Sequence, residues 1–167
     1  SVTLHAEEVS ACADLLQLQF VCTKLDNRDG LFGASDPFVK LSRGNPLHPG
    51  SWKAVWQSEV ILNNHHPTFR PATVSVQALC NGDYDRQVLL QVFDWDSDGT
   101  HDLIGETVTT VRQLLAQYSP AHGGGRGEWM PLINEQKKKH GWRASVGRYK
   151  NSGQVRLALC NLVHRST

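Results

Sequence analysis

The sequence predicts an all-β protein, an eight-stranded antiparallel β-sandwich with Greek-key connections and one short helix in a loop. Three observations predict this class. Short runs of alternating apolar and polar residues recur along the chain, Gly, Pro, Asn and Asp separate them, and long helical periodicity is nearly absent. The 167 residues, of which 40% are hydrophobic and 20% charged, suffice for one domain with a real core, so we expect a single domain over residues 1–167.

Five strand signals lie in the first half of the chain. They are residues 2–6, 16–22, 38–41, 52–62 and 72–76. The second run shows the pattern most clearly, because Leu, Leu, Phe and Cys alternate there with Gln, Gln and Val, as expected of a half-buried strand. The fourth run predicts a longer strand with a bend. The first run predicts a topology in which the chain starts one strand before the long strand at 16–22.

Three more strand signals and a helix signal follow. Residues 88–93, 103–108 and 154–159 are short apolar runs bounded by polar turns. Residues 111–118 predict the one short helix, because their apolar side chains recur at helical spacing on one face. The later glycine-rich and lysine-rich stretches predict loops, the second beginning at Lys137.

Composition excludes several classes of function. The net charge of +1 gives no global attraction to nucleic acid, and no run approaches the roughly 18 apolar residues of a membrane span. The chain has no G-x-S-x-G elbow, no phosphate-binding P-loop and no Cys/His group with zinc-ligand spacing, so we expect no enzyme activity. The four cysteines form no CxxC pair. Reduced, buried thiols at Cys22 and Cys160 are the favoured interpretation, which indicates a reducing, cytoplasmic setting.

Acidic residues cluster at the ends of two predicted strands. Asp29 and Asp36 precede the strand at 38–41, while Asp94, Asp96 and Asp102 follow the strand at 88–93 and precede the next one. Carboxylates about 4 Å apart repel by about 1 kcal/mol in water and by more beside protein. Several carboxylate oxygens converging from loops are what hard divalent cations bind. The pattern therefore predicts a site for a divalent cation.

These acidic loops resemble those of the C2 domain, whose calcium loops carry an Asp-x-Asp with a third aspartate six residues later. Here the sequence is Asp94-x-Asp96-x5-Asp102. The entry Ser35-Asp36-Pro37-Phe38 is similar to the Ser-Asp-Pro-Phe/Tyr entry of that family. Further segments are similar to the copine family, closest to its second C2 domain: residues 60–64, 67–71, 79–83, 98–106 and 149–153.

The resemblance implies a set of site residues. The implied metal ligands are Asp29, Asp36, Asp94, Asp96 and Asp102, with the backbone carbonyls of Arg28 and Trp95 as supplements. Asp98 is either an extra ligand or a turn residue, and Asp26 could substitute for Asp29. The spacing from Asp29 to Asp36 is seven positions, where six is commoner in the family.

The resemblance also suggests where a membrane would be contacted. Leu31 and Phe32 lie between the first-loop aspartates, and Thr100 and His101, with Trp95, could contact lipid from the other loop. The basic residues Lys137, Lys138, Lys139 and Arg143 form either a solvated loop or a contact for anionic lipid or a partner.

The function implied is calcium-dependent docking of an attached protein onto anionic, phosphatidylserine-like phospholipid. This implies a monomeric domain within a larger protein, cytoplasmic and moving to the inner face of membranes when calcium rises, with protein partners but no nucleic acid. The alternative is a calcium-independent protein-interaction module of the same fold, which the seven-position spacing favours.

Overall fold

Two four-stranded antiparallel sheets pack face to face in the computed structural model, which describes residues 12–27, 33–118, 127–139 and 148–166. One sheet has the order β4-β1-β8-β7 and the other β3-β2-β5-β6. The strands are β1 (Leu15–Thr23), β2 (Pro37–Gly44), β3 (Trp52–Gln57), β4 (Ala72–Ser75), β5 (Val88–Asp94), β6 (Asp102–Thr109), β7 (Met130–Pro131) and β8 (Gln154–Val163). The predicted eight-stranded antiparallel sandwich is confirmed.

Alternating side chains build the core between the two sheets. In β1 every second residue is buried, from Leu16 to Cys22, while the residues between them are half-exposed. In β5 the buried side chains of the same face are Val88, Leu90 and Val92. The apolar face of each sheet covers that of the other, so every second side chain of these strands must be apolar. The alternation in the sequence therefore predicts where these strands lie.

Two predicted strands end earlier than expected. The chain leaves the sheet after Gln57, where the Ser58 hydroxyl accepts a hydrogen bond from the Val39 N–H at 2.8 Å, so the predicted strand extension to residue 62 was wrong. The strand predicted at 72–76 ends at Ser75, whose side chain accepts a hydrogen bond from the Ala78 N–H and caps a helix. A capping serine thus converts the end of that apolar run into a helical turn.

Three short helices occur among the described residues: α1 (Val76–Cys80), α2 (Val111–Gln117) and α3 (Glu135–Lys139). The predicted helix at 111–118 corresponds to α2, which is capped by Thr110. The loop predicted to begin at Lys137 contains the end of α3 instead, and β7 was not predicted at all. The strand predicted at 2–6 lies outside the described residues. None of the described helices has the length and apolar character needed to cross a bilayer.

A bulge shifts the pairing of β5 and β6. Val92 lies opposite Gly105, but the next residue, Phe93, lies opposite Leu103, so one extra residue is accommodated in β6. As a result Asp94 is paired directly with Asp102. The neighbouring strand β2 places Pro37 opposite Asp94 on the other side.

Gly105 lets two backbones approach closely. A Cβ atom added there would lie 2.9 Å from the Cβ and 3.0 Å from the carbonyl carbon of Leu132. The adjacent Glu106 and Ile133 exchange two backbone hydrogen bonds of 2.9 Å. We therefore expect Gly105→Ala to lower the free energy of unfolding by about 1–3 kcal/mol, measured by urea denaturation, because an overpacked contact must shift backbone. The exposed Val108→Ala on the same strand is the control. A loss no larger than that of the control would contradict the steric explanation.

Candidate metal centre and lipid-facing loops

Three loops meet at one end of the sandwich. We call residues 24–36 the first loop, 58–71 the second loop and 95–101 the third loop. The second loop contacts the first, because the Asn63 side-chain oxygen accepts a hydrogen bond from the Ala34 N–H at 2.6 Å. The third loop contacts the first through Trp95, whose N–H donates to the Asp36 carbonyl at 3.0 Å. Hydrogen bonds to the backbone therefore hold all three loops together.

Asp94 is the last residue of β5 and lies at the loop end of the core. It continues the inward-facing alternation of β5 after Leu90 and Val92, and only 1% of its surface is exposed. One oxygen, Oδ1, accepts a hydrogen bond from the Asp36 N–H at 2.8 Å. The other, Oδ2, is buried and has no hydrogen-bond partner within the described part of the chain. Leaving a buried acceptor unsatisfied costs about 1–3 kcal/mol, and more for a charged group.

Asp36 is held from two sides. Its carboxylate Oδ1 accepts a hydrogen bond from the Asn63 N–H at 2.6 Å, and its own N–H is bonded to Asp94. Asn63 has φ of 52°, in the left-handed region that Asn tolerates better than most residues. This conformation turns the backbone N–H of Asn63 towards Asp36 while its side chain binds the first loop.

Asp96 and Asp102 complete the third-loop acids. Asp102 is exposed and directly opposite Asp94, and residues paired in this way have Cβ atoms about 4.5–5.5 Å apart. Partial burial and the negative charges of Asp94, Asp102 and Asp98 raise the pKa of Asp96, while His101 lowers it. Desolvation is the larger cause of the raised pKa, and the neighbouring acids of β5 and β6 add to it.

Asp98 has the geometry of a turn residue. The N–H and the hydroxyl of Thr100 both donate to its Oδ1, at 2.8 and 2.6 Å. These hydrogen bonds hold the pKa of Asp98 below its usual range. Of the two interpretations that the sequence left open for Asp98, the turn role is the one its contacts display.

We call Asp36, Asp94, Asp96 and Asp102 the acidic cluster. In residues 12–27, 33–118, 127–139 and 148–166, no three His, Cys, Asp or Glu side chains are close enough to hold a metal ion as they stand. The donor set nevertheless fits a hard cation, because all four are carboxylates and the buried Oδ2 of Asp94 has no hydrogen-bond partner among the described residues. The predicted ligands Asp29 and the Arg28 carbonyl lie outside the described residues.

The first loop is also tied to α3. Lys137 Nζ contacts the Asp26 carboxylate at 2.6 Å, and both side chains are about one-third exposed. Asp26, the substitute considered for Asp29, is therefore already neutralised by a lysine. Lys138 pairs with Glu135 at 3.4 Å, and Arg143 lies outside the described residues. Two of the lysines predicted to contact lipid or a partner are thus engaged within the protein, and Lys139 is exposed.

His101 packs against two aromatic side chains, although the sequence predicts that it contacts lipid. Its ring meets Phe38 edge-on, with centroids 5.1 Å apart, and stacks on Trp95 at 6.4 Å. Its Nδ1 accepts a hydrogen bond from the Asp96 N–H at 3.1 Å. The other three predicted lipid contacts divide in two groups, since Thr100 is exposed and binds Asp98, whereas residues 31 and 32 are outside the described part.

Sequence reasoning missed Leu62. It lies beside Asn63 in the second loop, and 68% of its surface is exposed. Trp95, on the other side of Asp36, is 38% exposed. Leu62 belonged to the apolar run interpreted as a strand, so its exposure could not be expected. The signal that could have revealed it is the Asn-Asn pair that follows, which is typical of a turn.

Comparisons with known proteins agree with this architecture. A family model described as the C2 domain matches residues 16–132, more than half of the chain. The chain is similar to a solved structure described as "BON1-C2B", with a TM-score of 0.69 and 22% identity over 95% of this chain and 99% of that one. It is also similar to a C2 domain of plant extended synaptotagmin 1, with a TM-score of 0.52 and 18% identity over 87% and 92% of the two chains. At these identities the structural similarities concern the fold.

Asp96→Asn should stabilise the metal-free protein at neutral pH. The pKa of Asp96 is raised on folding, so the folded state favours the protonated form, and the penalty for its charge appears as pH rises through the raised pKa. We expect the variant to melt above wild type at pH 7 in chelator, and this advantage to shrink as pH falls towards about 4.

Asp98→Asn in the same loop is the matched control. Its pKa is lowered by the Thr100 hydrogen bonds, so the charged form stabilises the fold, and that contribution is lost as pH falls through the folded-state pKa. We expect a lower melting temperature than wild type at pH 7. Two variants shifting in the same direction would show that the acidic cluster is not under repulsion.

Proposed function

The chain belongs to the C2 domain family, and we propose that it docks an attached protein onto anionic phospholipid in a calcium-dependent manner. C2 domains commonly bind phospholipids and proteins, and the fold is a non-catalytic module. Calcium dependence, the anionic headgroup and the site residues are the parts that we propose. In this proposal residues 1–167 form one such domain, which is not itself an enzyme.

The observation that carries the proposal is the unsatisfied, buried Oδ2 of Asp94. Asp94 is paired with Asp102 of the neighbouring strand, and the Asp36 N–H donates a hydrogen bond to its other oxygen, Oδ1. When bound, Ca2+ supplies the positive charge that these carboxylates lack and accepts further oxygens, including those of lipid phosphate. We propose Asp36, Asp94, Asp96 and Asp102 as ligands, with Asp29 and the carbonyls of Arg28 and Trp95.

The apolar residues beside the cluster support a membrane as the docking surface. Leu62 and Trp95 are both exposed. Both lie close to Asp36 in the fold, because Asp36 accepts hydrogen bonds from the backbone N–H of Trp95 and from that of Asn63, the residue after Leu62. A large apolar side chain gains about 1.5–3 kcal/mol when it leaves water completely, and Trp suits the membrane–water interface. We therefore add Leu62 to the proposed lipid contacts Leu31, Phe32, Thr100 and His101.

Closer kinship with the second C2 domain of copines is also a proposal, supported by the sequence segments around residues 60–71 and 98–106. The same holds for a cytoplasmic location with movement to the inner face of membranes when calcium rises.

A calcium-independent interaction module is the second candidate. The ion pair between Lys137 and Asp26 favours it, because this lysine already neutralises one acid of the first loop. The unusual spacing of Asp29 and Asp36 favours it as well. The two candidates differ in whether Ca2+ stabilises the folded protein.

Calcium should raise the melting temperature. A ligand at about 100 times its dissociation constant stabilises the folded state by roughly 2.7 kcal/mol, so a shift of several degrees is expected in a thermal scan with millimolar Ca2+. The combined change Asp94→Asn and Asp96→Asn should abolish this shift, because both remove ligand charge.

The control removes two negative charges elsewhere, by Glu128→Gln with Asp85→Asn. Both residues are exposed and outside the three loops, so the calcium shift should persist. No shift in the wild-type protein would contradict calcium binding and favour the second candidate.

Leu62→Ala should weaken calcium-dependent pelleting with phosphatidylserine vesicles. Losing most of its apolar surface removes about 1.5 kcal/mol, so the vesicle affinity should fall roughly tenfold. The measurement is co-sedimentation over a lipid titration, with and without Ca2+.

Leu47→Ala provides a matched control, because Leu47 is 70% exposed in the hairpin between β2 and β3, at the opposite end of β2 from Asp36. Its affinity should equal that of wild type. If both leucine variants pellet like wild type, the second loop is not a lipid contact.

A further inference from the structure

We infer that His101 is a positioning residue for the third loop, fixing Asp96 and Asp102 through a hydrogen bond that its Nδ1 accepts from the loop backbone. This inference rests on the proposed function, since it concerns how the acidic cluster is held for a divalent cation. It gives His101 a role within the loop, in addition to the lipid contact proposed above.

The hydrogen bond connects the two ends of the third loop. The Asp96 N–H donates to His101 Nδ1 at 3.1 Å. Asp96 lies just after β5, and His101 lies just before β6. Because Nδ1 acts as acceptor, the proton of the neutral imidazole lies on Nε2. A second closure lies within the same loop, where the Gly99 N–H donates to the Asp96 carbonyl at 3.1 Å. Both sides of the Asp96 residue are thus held.

Aromatic contacts hold the imidazole ring of His101 in place. His101 meets Phe38 edge-on at 5.1 Å, and Phe38, only 2% exposed, stacks on Phe93 at 5.5 Å. Lys40 lies over the Phe93 ring at 5.4 Å. These contacts form a column on the face of the sheet away from the main core, because none of them belongs to the core between the sheets. Edge-to-face and stacked aromatic pairs each contribute about 0.5–1.5 kcal/mol beyond their burial.

The consequence concerns the direction of two carboxylates. His101 immediately precedes Asp102, and its acceptor holds the backbone of Asp96, so one imidazole orients a carboxylate on each side of the loop. Without that bond, repulsion within the acidic cluster would drive Asp96 away from Asp94 and Asp102. Groups that orient metal ligands typically change affinity by about 10–100-fold when they are removed.

Two substitutions separate the hydrogen bond from the packing. His101→Phe keeps a ring against Phe38 but has no acceptor, whereas His101→Asn keeps an acceptor near the Nδ1 position but loses the ring. Three quantities are measured on the full chain: the melting temperature, the hydrogen-exchange rate of the Asp96 amide in chelator, and Ca2+ affinity by calorimetric titration. His48→Phe, in the exposed hairpin between β2 and β3, is the control.

If His101 is a positioning residue, the two variants should rank in opposite orders for melting temperature and for Ca2+ affinity. His101→Phe should stay the more stable variant, yet exchange its Asp96 amide faster and bind Ca2+ about tenfold more weakly than wild type. His101→Asn should be less stable but closer to wild type in exchange and affinity. A merely structural role would make affinity follow stability, and that result would overturn the inference.

The metal-free measurement separates this inference from the proposed function. Unchanged Asp96 amide exchange in His101→Phe overturns the positioning role whatever the calcium titration gives. If wild type binds no Ca2+ while His101→Phe exchanges faster, the proposed function fails and His101 is still shown to hold the loop.

Discussion

The carboxylate of Asp94 is the constraint on which the loop end of this protein depends. It occupies an inward-facing position of β5, so a carboxyl group lies where the alternation of the strand would otherwise place an apolar side chain. One oxygen is satisfied by the Asp36 N–H, which ties the first loop to the strand, and the other has no partner among the described residues. A buried carboxyl group with only one satisfied oxygen favours any arrangement that brings a cation to the other.

The loops are organised outward from that carboxylate. Asp36 transmits the constraint to the second loop through Asn63, and to the third loop through its carbonyl bond with Trp95. His101 then connects the third loop to the aromatic residues on the outer face of the sheet. The loops are therefore positioned by contacts on both faces of one sheet, with Asp94 on the core face and Phe38 on the outer face. A rigid sheet can in this way bring together loop residues that are distant in sequence.

The sequence predicted the sandwich and the position of most strands, because the period-2 burial of β1 and β5 is visible in their residues. It could not predict β7, since two residues carry no period and pair only because β8 lies beside them. The helical turn of α1 depends on a serine cap that converts an apolar run. The exposure of Leu62 and the packing of His101 against Phe38 arise from tertiary contacts, which local pattern does not encode.

The bulge between β5 and β6 determines how freely the third loop can change in length. The extra residue is accommodated within the sheet, so the alignment of Asp94 with Asp102 is set before the chain enters the loop. Insertions and deletions at Ser97 to Thr100 would then change the exposed surface of the third loop without disturbing that alignment. Removing one residue of β6 would instead shift Asp102 out of its pairing with Asp94. At this end of the protein, the loop can therefore vary in length during evolution, whereas the bulged strand must keep its length.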